Sequence, residues 1–234
     1  MTTHKEQQKL WDEEHARPTM LLQMDSDLPS GGVEKFWAFL TDAGAPRARG
    51  LEMGCGKGRN VVWLARNGVE AHGFDFSPSA IKEAKRRADA AGVPNAHFLV
   101  QDATKRWDYE DASFDFALDC FASTDIESAE GRAFARAEFR RVLRPGGLLL
   151  VYVLSTDDEF HKEMILKTPA EEAHSFTHPA GKYEKVFEEK ELDQLYAGFE
   201  LIAAERVAKT TEFNGKPYAC LHHWRVYRTP SATA

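Results

Sequence analysis

Cysteine, long apolar runs and positive charge are all scarce in this sequence, and each shortage excludes a class of protein. The three cysteines, Cys55, Cys120 and Cys220, lie too far apart for a disulfide framework or a zinc site. The longest apolar run, Leu148 to Leu154, covers seven residues, whereas a helix needs roughly 20 to span a bilayer. The polar N-terminal residues also lack the apolar core of a signal peptide. These features predict a cytoplasmic protein without a membrane partner.

The charge balance is acidic. Thirty Lys and Arg residues stand against 37 Asp and Glu residues, which gives a net charge of −7. A protein that binds nucleic acid through bulk electrostatics needs a basic surface, so no nucleic-acid partner is expected. Hydrophobic residues make up 43% of the chain and charged residues 29%, which is typical of an ordinary folded domain. We expect a single domain over residues 1–234, as a monomer or a homodimer.

Strand and helix patterns alternate from residue 48 onward. Short apolar segments predict five strands, at 48–53, 69–74, 96–100, 114–119 and 148–154. Helical patterns lie between them at 59–66, 78–91 and 130–143. This alternation indicates an α/β fold with a mainly parallel sheet and right-handed crossovers.

The C-terminal part breaks this rhythm. Two strand patterns, 199–213 and 218–227, flank Asn214-Gly215, a strong hairpin signal, and they follow a helical pattern at 188–197. An antiparallel pair should therefore close the sheet.

Two other segments stand outside the alternation. Residues 33–42 carry their apolar side chains at helical spacing, which predicts an N-terminal helical segment within residues 1–45. Residues 155–187 show no clear period and are too long for a routine connection. We expect that stretch to be an insertion or a mobile lid over a ligand site.

The most informative segment is LEMGCGKGRN, residues 51–60, at the first strand-to-helix turn. Its glycines, at positions 54, 56 and 58, allow a tight turn and the close approach of a ligand to the backbone. The helix that follows offers free N–H groups. The glycine spacing differs from the G-x-G-x-x-G fingerprint of dinucleotide folds, which disfavours a dehydrogenase. An ordinary tight turn is the alternative interpretation.

Acidic residues follow the next strands in the same position. Asp75 ends the second strand, Asp102-Ala103 follows the third, and Asp119-Cys120 ends the fourth. A carboxylate at the second strand end can accept hydrogen bonds from ribose hydroxyls. Any one of these acids could instead cap a helix or lie in a solvated loop. Because the carboxyl ends of parallel strands meet at one edge, the sequence predicts a nucleoside site there.

The motifs LEMGCGKGRN, HGFDFS, FLVQDAT, FDFALD and LRPGGLLLVYV occur in this order over residues 48–154. As a series they resemble class I S-adenosylmethionine-dependent methyltransferases. GCGKGRN is most similar to the small-molecule branch that includes the tellurite-resistance and thiopurine-type enzymes. The resemblance implies a Rossmann-like seven-stranded sheet of order 3-2-1-4-5-7-6, with the last strand antiparallel and helices on both faces.

The resemblance also implies a cofactor, S-adenosylmethionine, and its product, S-adenosylhomocysteine. Glu52 and the glycine loop would contact the methionine moiety, Asp75 the ribose, and Phe76 and Asp102 the adenine. Glu52-Met53 stands where Asp-Leu or Asp-Ile is usual, and Glu keeps the charge. The full set of cofactor-binding residues implied in this way is Glu52, Gly54, Cys55, Gly56, Arg59, Asn60, Asp75, Phe76, Asp102, Ala103, Asp119 and Cys120.

The catalytic residues are harder to predict, because methyl transfer needs alignment, a dry cavity and only sometimes a base. The candidate catalytic residues are Asp119, His161 and His178; the alternative for each histidine is a structural or surface residue, which is the commoner case. Trp11, Phe121, His174 and Tyr183 are candidates for the acceptor site. We expect no metal site, since His174 and His178 have helical spacing but Pro179 follows and no third ligand is evident.

Three classes of function remain open from the sequence. The first is a methyltransferase that acts on a small thiol, hydroxyl, amine or metalloid acceptor. The second is a protein or RNA methyltransferase. The third is a cofactor-binding module without transfer activity.

Overall fold

A seven-stranded sheet forms the centre of the molecule. The structure, a computed structural model, describes residues 3–17, 25–45, 47–213 and 215–231. The helices are α1 (His4–His15), α2 (Gly31–Asp42), α3 (Arg59–Arg66), α4 (Pro78–Ala91), α5 (Ala129–Val142), α6 (Glu159–Lys167) and α7 (Glu189–Leu195). The strands are β1 (Arg49–Met53), β2 (Glu70–Asp75), β3 (Ala96–Val100), β4 (Phe114–Cys120), β5 (Leu143–Leu154), β6 (Ser175–Thr177), β7 (Tyr183–Lys185), β8 (Glu200–Phe213) and β9 (Lys216–Arg228).

The strand order of the sheet is β3-β2-β1-β4-β5-β9-β8. Strands β1 to β5 are parallel, whereas β9 runs antiparallel to both β5 and β8. Because β6 and β7 form a separate small sheet, this order is 3-2-1-4-5-7-6 when only the strands of the main sheet are numbered. The predicted fold is therefore confirmed.

Helices cover both faces of this sheet, as predicted. Helices α2, α3 and α4 bury apolar side chains such as Phe36, Leu64 and Ile81 in one core layer. Helices α5 and α7 bury Phe139 and Leu192 in the other. Because both layers are packed, β4 is buried along nearly its whole length, and β5 is apolar and buried from Leu148 to Leu154. Among the described residues, no helix is both long and apolar enough to cross a membrane.

One predicted boundary needs correction, and one segment without predicted elements contains secondary structure. Strand β5 begins at Leu143 rather than at 148, because Leu143 already pairs with Phe114 and a register irregularity then carries the chain to Leu148. Residues 155–187, which show no period, contain α6 and the β6–β7 pair. Each of those strands has only three residues, too few for an alternating pattern to stand out. The predicted turn residue Asn214 lies outside the described residues.

Candidate active site

The glycine loop lies at the carboxyl end of β1 and needs its glycines. Gly54 has φ +63° and Gly56 has φ +51°, both in the left-handed region. A Cβ atom at Gly54 would stand 2.4 Å from the Cβ of Ala122, in the loop after β4. The Cys55 amide donates to the carbonyl of Phe74 at 2.9 Å, which ties the loop to β2. The loop is therefore fixed beside the ends of three neighbouring strands.

Glu52 is buried beside this loop with one carboxyl oxygen available. Its Oε1 accepts a hydrogen bond from Asn60 Nδ2 at 2.6 Å, and Asn60 Oδ1 accepts one from the Ser30 amide at 2.8 Å. Its Oε2 is buried and has no hydrogen-bond partner among the described residues. Burial raises the pKa of Glu52 to about 8. An acceptor of this kind fits a cationic amine, which would ionise the carboxyl group on binding.

Asp75 joins the ends of β1 and β2. Its carboxylate accepts hydrogen bonds from the Gly56 amide at 3.0 Å and from the Ser77 amide at 2.9 Å. Each of its oxygens has further lone pairs, so the carboxylate can still accept from ligand hydroxyls. Burial raises its pKa.

Asp102, by contrast, is already fully engaged. It accepts hydrogen bonds from the amide and hydroxyl of Thr104 at 2.9 and 2.7 Å, and it lies 3.0 Å from Lys105 Nζ. The imidazole Nε2 of His4 lies 2.9 Å from its second oxygen. Burial would raise the pKa of Asp102, but the hydrogen bonds from Thr104, together with Lys105 and His4, outweigh it and lower the pKa to about 2. The neighbouring Ala103 carbonyl accepts from Trp107 Nε1 at 3.0 Å.

Asp119 and Cys120 point to opposite faces of β4. Asp119 is fully buried and accepts hydrogen bonds from the Ser123 amide at 3.0 Å and the Tyr196 hydroxyl at 3.4 Å. Tyr196 belongs to the core layer under α5 and α7. Cys120 packs against the other layer. The pKa of the Cys120 thiol is raised, mainly by burial and also by the nearby Glu52. Cys120 therefore shares a face with Glu52, and Asp119 does not.

Helix α1 crosses the carboxyl ends of the strands, beginning above β3. His4 bridges two acids, Asp102 at 2.9 Å and Glu127 at 2.5 Å. Its ring centroid lies 6.0 Å from that of Phe76, in the loop after β2. Gln8 Nε2 donates to the carbonyl of Phe76 at 2.8 Å.

The second half of α1 is fixed above β2 and β1. Asp12 Oδ1 accepts hydrogen bonds from the Ser77 hydroxyl at 2.7 Å and from the amide of Ser79. Lys57, in the glycine loop, donates to the carbonyl of Arg17 at 3.1 Å. Helix α1 thus spans the ends of β3, β2 and β1 in that order.

The opposite side of α1 contacts residues 181–183 of the 155–187 insertion. Gln7 Nε2 donates to the Gly181 carbonyl at 2.9 Å, and its Oε1 accepts from the Tyr183 amide at 3.1 Å. Lys182 Nζ lies 3.3 Å from a carboxylate oxygen of Glu14. The helix is therefore a bridge between the glycine loop and the insertion.

The three histidines of the insertion have different surroundings. His161 is buried, with Nδ1 2.5 Å from Asp158 and Nε2 2.8 Å from Glu184. Burial would lower its pKa, but hydrogen bonds to these carboxylates raise it to about 9. An imidazolium held on both sides has no lone pair with which to act as a base. His178 Nε2 lies 2.6 Å from the other oxygen of Glu184, and His174 lies 3.6 Å from Glu188.

The other predicted acceptor residues lie in three different places, on β7, after β4 and on α1. The Tyr183 hydroxyl donates to Glu172 at 2.9 Å. Phe121 has φ +68° and packs on the rings of Tyr152 and His222, at centroid distances of 4.8 and 5.0 Å. Trp11 lies on α1, and its Nε1 is buried without a hydrogen-bond partner among the described residues.

Two residues near these loops were not singled out as site residues from the sequence. Asp125, at the end of the 3₁₀ helix Ala122–Asp125, has a pKa raised first by burial and then by the charge of Glu184. His15, on α1, is buried over Gly56: its Cε1 lies 3.5 Å from the position of a Cβ there. The N-terminal segment carried no motif, so only its helical spacing from Trp11 could have indicated His15.

One histidine pair lies away from this edge. His72 and His97 are paired across β2 and β3, and a ligand atom from each, with one from Glu70, lies within 4.8 Å of the others. The Arg49 guanidinium Nε lies 3.2 Å from Glu70 and 3.4 Å from His72. The Arg49 guanidinium thus places a positive charge beside Glu70 and His72, at the position where a metal ion would otherwise supply one.

Comparisons with known proteins agree with this architecture. Residues 51–147 match the family described as "Methyltransferase domain". The chain is 35% identical over 136 residues to a demethylmenaquinone methyltransferase of Beutenbergia cavernae, covering 57% of this chain and 53% of that protein. The chain therefore spans about half the length of this curated relative.

Solved structures show the same fold over most of the chain. A SAM-dependent methyltransferase from Methanosarcina mazei superposes with a TM-score of 0.69 at 25% identity, over 82% of this chain and 97% of that one. A 1,6-didemethyltoxoflavin-N1-methyltransferase from Burkholderia thailandensis, solved with 1,6-didemethyltoxoflavin and S-adenosylhomocysteine, has a TM-score of 0.62 at 19% identity, over 86% and 79% of the two chains. Residues 51–147 thus match a methyltransferase domain, and the fold around them is that of a SAM-dependent methyltransferase. The cofactor of such proteins is S-adenosylmethionine, as the resemblance of the sequence implies.

Proposed function

We propose that this protein transfers a methyl group from S-adenosylmethionine to a small organic acceptor. The observation that supports this most directly is the buried, unpartnered Glu52 Oε2 beside a glycine loop with left-handed Gly54 and Gly56. This arrangement fits the amino group of an amino-acid ligand that lies against the backbone. When bound, S-adenosylmethionine supplies an electrophilic sulfonium methyl group.

The proposed cofactor site is the carboxyl edge of β1, β2 and β3. Glu52 would hold the amino group, the glycine loop would lie along the methionine moiety, and Asp75 would accept from the ribose hydroxyls. Asp102 fits the adenine end less simply, because His4 already occupies one of its oxygens. His4 would have to give up that contact for Asp102 to bind an adenine amino group.

The proposed acceptor site lies where α1, the 3₁₀ helix and the turn between β6 and β7 meet. The N-terminal segment and residues 155–187 would cover it, which would exclude water and align the reacting atoms. A covered site of this kind suits a small acceptor better than a protein or RNA chain. The relative and the solved structure named for demethylmenaquinone and 1,6-didemethyltoxoflavin support a small acceptor as well.

We assign the role of base, where the acceptor atom carries a proton, to His178. Its Nε2 faces the Glu184 carboxylate, so Nε2 carries the ring proton and Nδ1 keeps the lone pair. Hydrogen bonds from His161 and His178 overcome the effect of burial and lower the pKa of Glu184 to about 2. Glu184 therefore stays ionised and orients His178, as the third group of a catalytic triad does.

The test has two stages. Calorimetry with S-adenosylhomocysteine and, separately, NAD should show binding of the first alone. A panel of small hydroxyl, amine and thiol acceptors is then screened for S-adenosylhomocysteine release. Binding without release for every acceptor would favour the module without transfer activity, and release with peptide or RNA alone would favour the second class.

A matched pair of variants then tests the base. His178→Gln should lower turnover by about a hundredfold or more and leave S-adenosylhomocysteine affinity unchanged. His97→Gln, at an exposed site on β3, should change neither. Full turnover in His178→Gln would remove the base from the proposal.

A further inference from the structure

Helix α1 carries two buried side-chain nitrogens without hydrogen-bond partners among the described residues, and one of them belongs to His15, which lies over the glycine loop. Trp11 and His15 lie one turn apart with ring centroids 5.9 Å apart. His15 is 7% exposed, and neither its Nδ1 nor Trp11 Nε1 has a hydrogen-bond partner among the described residues. An unsatisfied buried polar group costs about 1–3 kcal/mol. Such a cost indicates that a ligand supplies the missing partner.

The position of His15 specifies where that ligand would be. His15 Cε1 stands 3.5 Å from a Cβ position at Gly56, whose amide donates to Asp75. The charged groups near enough to act on His15 electrostatically are Asp75, Lys57, Glu14 and Lys182. The imidazole therefore lies over the loop beside the carboxylate that ends β2.

The chemistry of these neighbours selects the kind of ligand group. Burial is the largest influence on His15 and lowers its pKa, so the ring is neutral near pH 7, with one donor and one acceptor nitrogen. Lys57 is already bonded to the Arg17 carbonyl and, at 2.6 Å, to Asp25. A neutral imidazole beside a carboxylate suits a hydroxyl group, which both donates and accepts, better than an anionic carboxylate.

We propose that His15 binds a ribose hydroxyl of the S-adenosyl cofactor together with Asp75, so that α1 completes the nucleoside site. This inference rests on the proposed function and adds to it a residue from outside the strand-end loops. It also means that α1 must release its contacts for the cofactor to leave.

The experiment compares two ligands by calorimetry. S-adenosylhomocysteine contains the ribose and the amino-acid end, whereas 5′-deoxy-5′-methylthioadenosine keeps the ribose and lacks the amino-acid end. His15→Leu should weaken both ligands by the same factor, about tenfold for one hydrogen bond of about 1.4 kcal/mol. Glu52→Gln should weaken S-adenosylhomocysteine alone. His97→Leu is the matched control and should change neither.

Further variants and a further ligand distinguish a failure of this inference from a failure of the proposed function. His15→Asn keeps a polar atom near the Nδ1 position and should restore most of the affinity, whereas His15→Gln should not. A 2′,3′-dideoxy form of methylthioadenosine should bind the wild type and His15→Leu equally, a result that does not depend on the stability of a variant. A His15→Leu protein that loses affinity for S-adenosylhomocysteine alone, or for neither ligand, would overturn the inference. Absence of binding by the wild type would instead overturn the proposed function.

Discussion

At the scale of single residues, Gly56 is the position where backbone conformation and ligand space coincide. Its φ of +51° disfavours any side chain, at about 1–2 kcal/mol. Gly56→Val should therefore lower stability modestly and abolish S-adenosylhomocysteine binding, because the side chain would enter the space between the loop and α1. Thermal unfolding and calorimetry together measure both effects.

Gly44→Val is the control for this change. Gly44 has a similar φ of +59° and open space around its Cβ position, so it carries the same strain away from the site. It should lose stability and keep its affinity. Unchanged affinity in a folded Gly56→Val protein would contradict the assigned cofactor site.

Glu52 gives a prediction about protons. Its pKa of about 8 in the folded protein lies above the usual value of 4.5, so the folded state binds a proton more tightly than the unfolded state. The ligand-free protein should therefore lose stability as pH rises from about 4.5 to about 8. Binding of an amine-bearing ligand at pH 7 should release up to about one proton, seen as a binding enthalpy that depends on the buffer. Glu52→Gln should show neither effect, and a wild-type enthalpy equal in all buffers would refute the pairing.

The residue scale also shows what the sequence could and could not reveal about the site. Glu52, the glycines and Asp75 lie at the carboxyl ends of predicted strands, so their common edge was predictable from the order of elements. The face to which Asp119 points, and the engagement of Asp102 by His4, depend on contacts between distant segments. His15 required the path of α1, which a local pattern does not contain.

At the scale of elements, the insertion is held by a buried ionic group. His161 lies between Asp158 and Glu184, and its pKa is raised from 6.5 to about 9. A raised histidine pKa contributes stability that is fully present below pH 6.5 and is lost as pH rises through about 9. His161→Gln should remove this dependence and cost about 3–5 kcal/mol, because it leaves buried carboxylates unpaired.

Chemical denaturation between pH 6 and 10 measures this effect. His97→Gln, on exposed β3, should keep the wild-type profile. A wild-type stability that does not fall above pH 8 would contradict a protonated His161.

Elements with strong local signals were predictable, and those made by long-range contacts were not. Strands β1 to β4, and β5 from residue 148, showed apolar runs between turn residues, and α4 had Ser77-Pro78 at its start. The β6–β7 pair had no such signal, since it is stabilised by side chains such as Lys185, which is buried and 2.8 Å from Glu191 on α7. Its position depends on the completed fold.

At the scale of the whole molecule, α1 links two regions far apart in the sequence. It contacts Phe76 on one side and Gly181 and Tyr183 on the other. These contacts predict that the two regions respond together when a ligand binds. S-adenosylhomocysteine should slow hydrogen exchange in α1 and in residues 178–184 as well as in the glycine loop. Gln7→Ala should weaken the effect at 178–184 alone, since the contact of Lys182 with Glu14 remains. Protection confined to the glycine loop in the wild type would show that α1 does not couple the regions.

The position of β9 between β5 and β8 has a consequence for aggregation. Strand β5 is apolar and buried from Leu148 to Leu154, and β9, about 60 residues further along, covers its free edge. Until β9 docks, that edge presents unpaired amides and carbonyls on a hydrophobic strand, which is a template for intermolecular pairing. The outer edge of the finished sheet is β8, which is largely exposed and carries charges such as Glu205 and Arg206. A chain cut after residue 215 should therefore be found in inclusion bodies, and its solubility on expression is the measurement that decides.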